Sequence, residues 1–361
     1  MHTTHRLLIG DARALSGVAD ASVHLVVTSP PYPMIAMWDE AFSAMDPAIA
    51  PLLAAEDGAG AFERMHRCLD EVWAACHRVL VPGGLCCVNI GDATRSLGGE
   101  FSLFPNHARI LMGMAALGFT VLPDILWHKP TNAPNKFMGS GMLPAGAYVT
   151  YEHEYVLVLR RGGKRTFSRP EDKAARAGSA YFWEERNGWF SDLWTDLRGT
   201  RQALAAKEER ERSAAFPFDL PWRLIQMYSL YGDTVLDPFA GTGTTMAAAA
   251  VAGRSSVGVE IGPGLAPVVG RSLEAAARAG PGLVRSRLES HRDFVAARQA
   301  AGKELKHHNA PHDVPVVTGQ ERTLALLEPA GLRALEEGVW EVEHVPVGEA
   351  VLPGQQGLFG L

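Results

Sequence analysis

The sequence predicts an α/β protein built on a mainly parallel sheet, and three observations predict it. Short apolar runs of strand character alternate with longer segments whose apolar residues recur at helical spacing. One run, Val23-His24-Leu25-Val26-Val27, stops at the elbow Thr28-Ser29-Pro30-Pro31-Tyr32. Another, Thr234-Val235-Leu236, stops at the glycine turn Asp237-Pro238-Phe239-Ala240-Gly241-Thr242-Gly243, and a helix-like stretch follows. Strands that end in a specialised turn and feed a crossover are how parallel sheets are wound.

In chain order, strands are predicted near residues 5–9, 23–27, 85–90, 121–127, 153–159, 234–236 and 256–259. Helices are predicted around 61–80, 105–117, 218–230, 244–252 and 265–279. The first of these sets Phe62, Met65, Leu69, Val72 and Trp73 on one face and stops before the breaker cluster Pro82-Gly83-Gly84. Residues 36–60 read as an Ala-rich, weakly patterned insertion. Residues 131–147, rich in Gly and Pro, read as a mobile loop near a pocket mouth. Residues 301–361 match nothing in the core pattern. Their His307-His308-x3-His312 group reads as a solvated polar linker rather than a metal site.

At 361 residues and 47% hydrophobic, the chain can bury one large catalytic domain plus a smaller lobe. No apolar run reaches membrane-spanning length, and the N-terminus lacks a basic-then-apolar leader pattern. Cys68, Cys76, Cys86 and Cys87 have no zinc-ligand spacing and read as small hydrophobes, so a reduced, cytoplasmic protein is expected. The net charge of −6 argues against nucleic acid, but its distribution argues the other way. Residues 160–212 hold 13 Lys or Arg against 9 acids, whereas residues 1–159 hold 9 against 15. Arg160, Arg161, Lys164, Arg165 and Arg169 form the densest basic run, read either as a solvated edge or as a phosphate-binding face.

The elbow's two prolines fix the backbone and remove two amide donors, leaving carbonyl oxygens free to accept. With Ser29 Oγ beside them and the Tyr32 ring as a face, the stretch suits a planar ring carrying an amino group. A plain proline turn is the competing reading. In the second motif, glycines allow a ligand to approach the backbone, and Glu260, at the tip of the next strand, can accept from ribose hydroxyls. Met246 stands where a dinucleotide binder has its third glycine, and no Lys completes a phosphate loop. An adenosyl cofactor fits best.

Together these motifs resemble the amino-group DNA methyltransferases, which methylate exocyclic amines of bases from S-adenosylmethionine. The family's acceptor motif, (Asp/Asn/Ser)-Pro-Pro-aromatic, is matched by Ser29 to Tyr32. Its cofactor motif is matched by Asp237, Phe239, Gly241 and Gly243. The acceptor motif comes first, as in the circularly permuted beta group. Leu7 to Ala12, Ile125 to Pro130 and Phe216 to Pro221 with Arg223 to Ile225 add local matches, and the resemblance covers roughly residues 5–160 and 213–265.

The resemblance implies a Rossmann-like methyltransferase sheet, mostly parallel, with a reversed hairpin strand (residues 121–127 with 153–159) and a small target-recognition lobe. It divides the chain into a first catalytic part (1–159), a recognition region (160–212), a second catalytic part (213–300) and an extension (301–361). It assigns catalysis to Ser29, Pro30, Pro31 and Tyr32. S-adenosylmethionine falls to Asp11, Thr28, Phe216, Asp237, Phe239, Gly241, Gly243, Thr244, Glu260 and Ile261. The target base and DNA fall to Trp127, His128, Lys129, Arg160, Arg161, Lys164 and Arg165; no metal is implied. Core packing competes for Trp127 and a free surface amine for Lys129. Asn89 and Asp92 are expected on the cofactor side of the cleft, or else as loop caps.

The implied partner is double-stranded DNA, with a cognate restriction endonuclease in the same system and a monomeric or homodimeric enzyme. Serine at the first acceptor position leans toward cytosine-N4 over adenine-N6. The other readings are an RNA or protein-glutamine methyltransferase, and an inactive fold serving as a DNA-binding module.

Overall fold

The computed structural model describes residues 1–129, 138–197 and 216–349. Its strands are β1 (His2–Ile9), β2 (Val23–Thr28), β3 (Leu80–Ile90), β4 (Ala93–Leu97), β5 (Glu100–Phe104), β6 (Phe119–Val121), β7 (Ile125–His128), β8 (Met138–Gly139), β9 (Ala147–Tyr148), β10 (His153–Arg161), β11 (Leu193–Trp194), β12 (Thr234–Asp237), β13 (Ser255–Glu260), β14 (His307–Asn309), β15 (Val314–Val316), β16 (Leu327–Glu336) and β17 (Val339–Pro346). The helices are α1 (Asp39–Met45), α2 (Ile49–Ala54), α3 (Gly58–Val79), α4 (Asn106–Ala116), α5 (Pro170–Gly178), α6 (Trp183–Trp189), α7 (Asp219–Tyr228), α8 (Thr244–Ala252) and α9 (Ala266–Ala300).

The main sheet runs β11-β7-β10-β3-β2-β12-β13-β1-β17-β16, with β6 on β10. Its centre, from β3 to β1, is parallel. The expected reversed strand is β10, antiparallel to β3 on one side and to β6 and β7 on the other. The single strand expected at 121–127 is two short ones, broken around Pro123, which has no amide for the ladder.

Side chains alternate between two cores, as the two-residue period of a strand requires. Val26, Cys86, Leu157 and Leu236 join α3 and α4 on one face. Leu25, Val27, Val156 and Val235 join α7 and α8 on the other. Helix α3 starts where Asp57 accepts from Gly60 N at 2.9 Å, a side-chain cap for an otherwise unpaired amide. Its Met65, Leu69, Val72 and Trp73 are buried against the sheet. Strand β3 begins directly after it and runs through the Pro82-Gly83-Gly84 cluster, earlier than expected.

The structure corrects three expectations and fills in one that the sequence left open. Residues 36–60 are not loosely patterned: they fold into a 3-10 turn and helices α1 and α2, with Phe42 and Ile49 fully buried. Helix α9 continues to Ala300 through Pro281, although Gly280-Pro281-Gly282 reads as a stop. The 301–349 part of the extension is folded: β17 pairs antiparallel with β1, and β16 with β17. The polar residues of β1 are thereby satisfied, Thr3 Oγ1 lying 2.9 Å from His344 Nε2 and 3.0 Å from His5 Nε2. The histidine group is no solvated linker either. His307 and His308 lie in the β14–β15 hairpin, and His312 Nε2 accepts from Leu326 N at 2.8 Å. Of the expected loop, 131–137 lie outside the described residues, while 138–139 and 147–148 form a short ladder. Residues 198–212 of the recognition region and 350–361 of the extension also lie outside them.

Candidate active site

The parallel strands β2, β12, β13 and β1 all end at one edge of the sheet, and a cleft of about 680 Å³ opens there. Asp11, Phe216, Asp237, Phe239, Gly241, Thr244, Glu260 and Ile261 line it, together with Ser29, Pro30 and Pro31. The volume suits a cofactor-sized molecule. Sequence reasoning missed one wall, made by Met37, Trp38, Ala41 and Met45 of the 36–60 segment. Leu69 and Val72 of α3 add an apolar floor.

The strand tips are locked to one another. Glu260 Oε2 accepts from Gly241 N and Oε1 from Gly262 N, each at 2.9 Å. Gly10 N donates to Glu260 O at 2.9 Å, joining β1 to β13. Each carboxylate oxygen keeps a lone pair for a hydroxyl donor. Asp11 accepts from Arg13 Nε and an amino group of Arg13, at 2.9 and 2.6 Å, which holds its carboxyl below the usual range. Gly243 sits at φ 80° as the left-handed residue before α8, and a Cβ there would meet Val269 at 2.9 Å. It shapes the turn but does not line the cleft. The close helix approach that a third glycine would give is supplied by Gly258 instead, where a Cβ would stand 2.4 Å from Met246 Sδ.

Thr28 is fully buried and touches no ligand space. Its Oγ1 donates to Asp237 Oδ1 at 2.7 Å, tying the elbow strand to the glycine-turn strand. Phe239 N donates to the same oxygen at 3.1 Å. Burial pushes the Asp237 carboxyl up to about 6, against those hydrogen bonds, and the neighbouring Glu260 charge adds to the rise.

Beyond Ser29 lies a second cluster. Ser29 Oγ donates to Tyr32 Oη at 3.2 Å, and Tyr32 Oη donates to Glu154 Oε2 at 3.0 Å. Asn89 Nδ2 donates to both Tyr32 Oη and Glu154 Oε2, at 3.0 and 2.7 Å. Lys129 Nζ donates to Glu154 Oε1 at 2.6 Å. Burial, then the Glu154 charge, pushes the Tyr32 phenol well above its ordinary value, so it stays protonated. Glu154 was not singled out from sequence, and nothing local marks it. Asn89 belongs here and not on the cofactor side. Asp92 is a cap: it accepts from the His107 amide at 3.0 Å at the start of α4, and from Tyr151 Oη at 3.1 Å.

The expected DNA residues divide. Trp127 is fully buried and its Nε1 donates to Leu197 O at 3.0 Å, so it packs the core and offers no face to a base. His128 is half-buried opposite His153. Lys129 is engaged by Glu154. Because β10 runs against β3, its Arg160–Arg161 end lies at the opposite edge of the sheet from Ser29. Arg161 donates to Leu80 O, and Arg165 forms a bidentate pair with Asp233 at 2.6 and 2.9 Å, just before β12. Arg160 Nε donates to Gly162 O and Lys164 is exposed. The structure therefore does not bring these four cations to the elbow. The aromatic residues that follow are folded in: Phe182, Trp189 and Trp194 are buried. Among the described residues no group of His, Cys, Asp or Glu converges as metal ligands, and no helix is long and apolar enough to cross a membrane.

The chain is similar to known proteins over most of its length. The type II methyltransferase M.MthZI of Methanothermobacter thermautotrophicus is 44% identical over 342 residues, 94% of this chain and 95% of that one. M.MjaI of Methanocaldococcus jannaschii, also a type II methyltransferase, is 49% identical over 278 residues, covering 74% and 90%. A Thermus thermophilus protein assigned as a DNA modification methylase, solved with S-adenosyl-L-methionine, superposes with a TM-score of 0.58 at 37% identity. That match covers 77% of this chain and 97% of the other. Residues 23–269 match the DNA methylase family of N6 and N4 methyltransferases, which favours DNA over RNA or protein as the substrate class. With the acceptor elbow and the glycine turn meeting at one cleft, the chain belongs to that family of DNA methylases.

Proposed function

We propose that the protein is a site-specific methyltransferase acting on cytosine N4 in duplex DNA, the modification half of a type II restriction–modification pair. The observation that carries this is the double role of Ser29. It lines the cleft that holds Glu260 and Asp237, and it hydrogen-bonds the Tyr32 cluster behind it. Acceptor and cofactor sites thus share one residue as their boundary.

The cleft fits S-adenosylmethionine: Glu260, with lone pairs free for ribose hydroxyls, and Asp11 would hold it, and the elbow lines the same cleft. When bound, that cofactor supplies an electrophilic methyl group. The protein's own residues do the rest. A base inside the duplex cannot reach Ser29, so the nucleotide must rotate out, at a cost of a few kcal/mol returned by contacts in the pocket. The base's amino group then donates to Ser29 Oγ and the Pro30 carbonyl, which favours a more tetrahedral nitrogen and localises its lone pair. Alignment of that nitrogen with the methyl group supplies much of the acceleration. Serine at position 29 supports cytosine as the target. Sequence readout is assigned to the later part of the 160–212 region, because Arg165, bound to Asp233, and Ser179, which accepts from Tyr231 N, both lie at the other edge, whereas β11 runs parallel to β7 toward the elbow edge.

Modification-sensitive sequencing of genomic DNA from an expressing host tests base and site together. The expected result is 4-methylcytosine confined to one short motif. Finding 6-methyladenine instead would move the target to the family's other base, and finding no modified base would overturn the proposal.

A further inference from the structure

We infer that Glu154 is a positioning residue that fixes the hydrogen-bond polarity of the acceptor site and takes up the proton released in methyl transfer, acting through Tyr32 and Ser29. This rests on the functional reading above and goes beyond it, because nothing in the elbow motif includes Glu154.

Counting protons assigns every bond in the cluster. The Lys129 ammonium and the Asn89 amide nitrogen can only donate, and an ionised carboxylate can only accept. Glu154 receives Lys129 on Oε1, and Asn89 with Tyr32 on Oε2. The single Tyr32 proton is thus committed to Glu154, so Tyr32 Oη can only accept from its other neighbours, Asn89 and Ser29. The Ser29 proton is committed in turn. What Ser29 has left to show the cleft is lone pairs. A hydroxyl is ordinarily ambivalent; this one is acceptor-only. It welcomes an amino group and repels a carbonyl oxygen at the same place, which separates cytosine from uracil or thymine. Gly91 keeps the cluster tight, since a Cβ there would stand 3.0 Å from the Tyr32 ring and 3.3 Å from Glu154 Cγ.

The same chain removes the proton. As the amine nitrogen's lone pair forms the new N–C bond, the old C–S bond breaks and its electron pair stays on sulfur. The nitrogen, now positively charged, passes a proton to Ser29 Oγ. The Ser29 proton moves to Tyr32 Oη and the Tyr32 proton to Glu154 Oε2. The positive charge brought in with the methyl group and the negative charge of Glu154 disappear together, and the neutral acid later empties to solvent.

Glu154→Gln keeps size and shape but reverses the polarity. The Gln carbonyl is drawn to Lys129, and its NH2 then faces Tyr32, freeing the phenol proton to point at Ser29. Single-turnover rates on cognate duplex should fall about a hundredfold in Glu154→Gln and in Tyr32→Phe. The double variant should be no slower than either, as for groups acting as one unit. Glu154→Asp should recover part of the rate. A binding readout needs no turnover: the parent should prefer a duplex with cytosine over uracil at the target by about tenfold, and Glu154→Gln should lose that preference while binding cofactor normally by calorimetry. Glu154→Gln with an unchanged rate and preference would overturn the inference. So would a loss of cofactor affinity and thermal stability that matches the loss of rate. A parent protein that methylates no duplex at all would overturn the functional reading itself.

Discussion

Replacing Asp237 by Asn should stabilise the protein above pH 6 and weaken its cofactor site. Asp237 is only 3% exposed, and burial lifts its carboxyl to about 6 in the folded chain. In the unfolded chain it returns to an ordinary value near 3.9. The folded state therefore binds the proton more tightly. Below about pH 4 both states are protonated and the group contributes nothing. Between about pH 4 and 6 the unfolded state ionises first, so stability falls as pH rises, and above 6 the deficit is constant. Two units of difference correspond to about 3 kcal/mol. The Asn amide oxygen can still accept from Thr28 Oγ1 and Phe239 N, both of which use Oδ1 alone. Thermal melts from pH 4 to 8 should show the variant ahead of the parent by on the order of 5 °C at pH 8. The two should converge toward pH 4. A parent and variant whose melting temperatures run parallel across that range would refute the assignment of this penalty to Asp237. The retained charge has a use, since a cationic cofactor beside it is favoured, and calorimetry should show weaker S-adenosylmethionine binding to the Asn form.

Glu260→Ala should weaken S-adenosylmethionine by tenfold or more, about 1.4 kcal/mol, because it removes the hydroxyl acceptor and leaves Gly241 N and Gly262 N unpaired; calorimetry on protein stripped of cofactor measures this. Ser29→Ala should abolish most methyl transfer in a single-turnover assay yet leave cofactor affinity within about threefold, a difference under 1 kcal/mol. Arg165→Ala should cost about 1–3 kcal/mol in denaturant unfolding, since it removes both charged hydrogen bonds to the buried Asp233 carboxylate and leaves it only Leu230 N and His24, whereas the salt dependence of DNA binding should keep the parent's slope.

The parts of the site legible in the sequence are those made by adjacent residues. Ser29 to Tyr32 and Asp237 to Gly243 announce themselves because a turn's conformation and its functional groups lie in one short stretch. Glu154 and Asn89 do not. They meet only because β10 pairs with β3 in a register that sets Tyr155 opposite Ile90 and Val156 opposite Asn89, and nothing local to residue 154 specifies that. The 160–165 run is visible as charge, but the partner that claims Arg165 lies 68 residues away. Helices α1 and α2 escaped notice because small alanines carry little periodic signal, although Phe42 and Ile49 mark their buried side. Strand β17 could have been found: Val339-Trp340-Glu341-Val342-Glu343-His344-Val345 sets Val342 and His344 inward and Glu341 and Glu343 outward around them, the two-residue period of an edge-covering strand. Trp127 shows the opposite failure, a ring expected to face a base that the hydrophobic core claims first.

The backward course of β10 has one further consequence. Successive residues of a strand point to opposite faces, so sliding β10 by one position along β3 would put His153 or Tyr155 where Glu154 stands. At the acceptor end that register is held by backbone ladders to β3 and β7, with Lys129 N donating to Glu152 O at 2.9 Å. The far end is fastened: Arg161 to the Leu80 carbonyl, and the following turn to Asp233 through Arg165. Those arginines lie roughly 20 Å along the strand from Glu154, and they hold the same register that the ladders to β3, β6 and β7 set. Arg161 and Arg165 thus add a second anchor, at the far edge of the sheet, to the strand that carries Glu154.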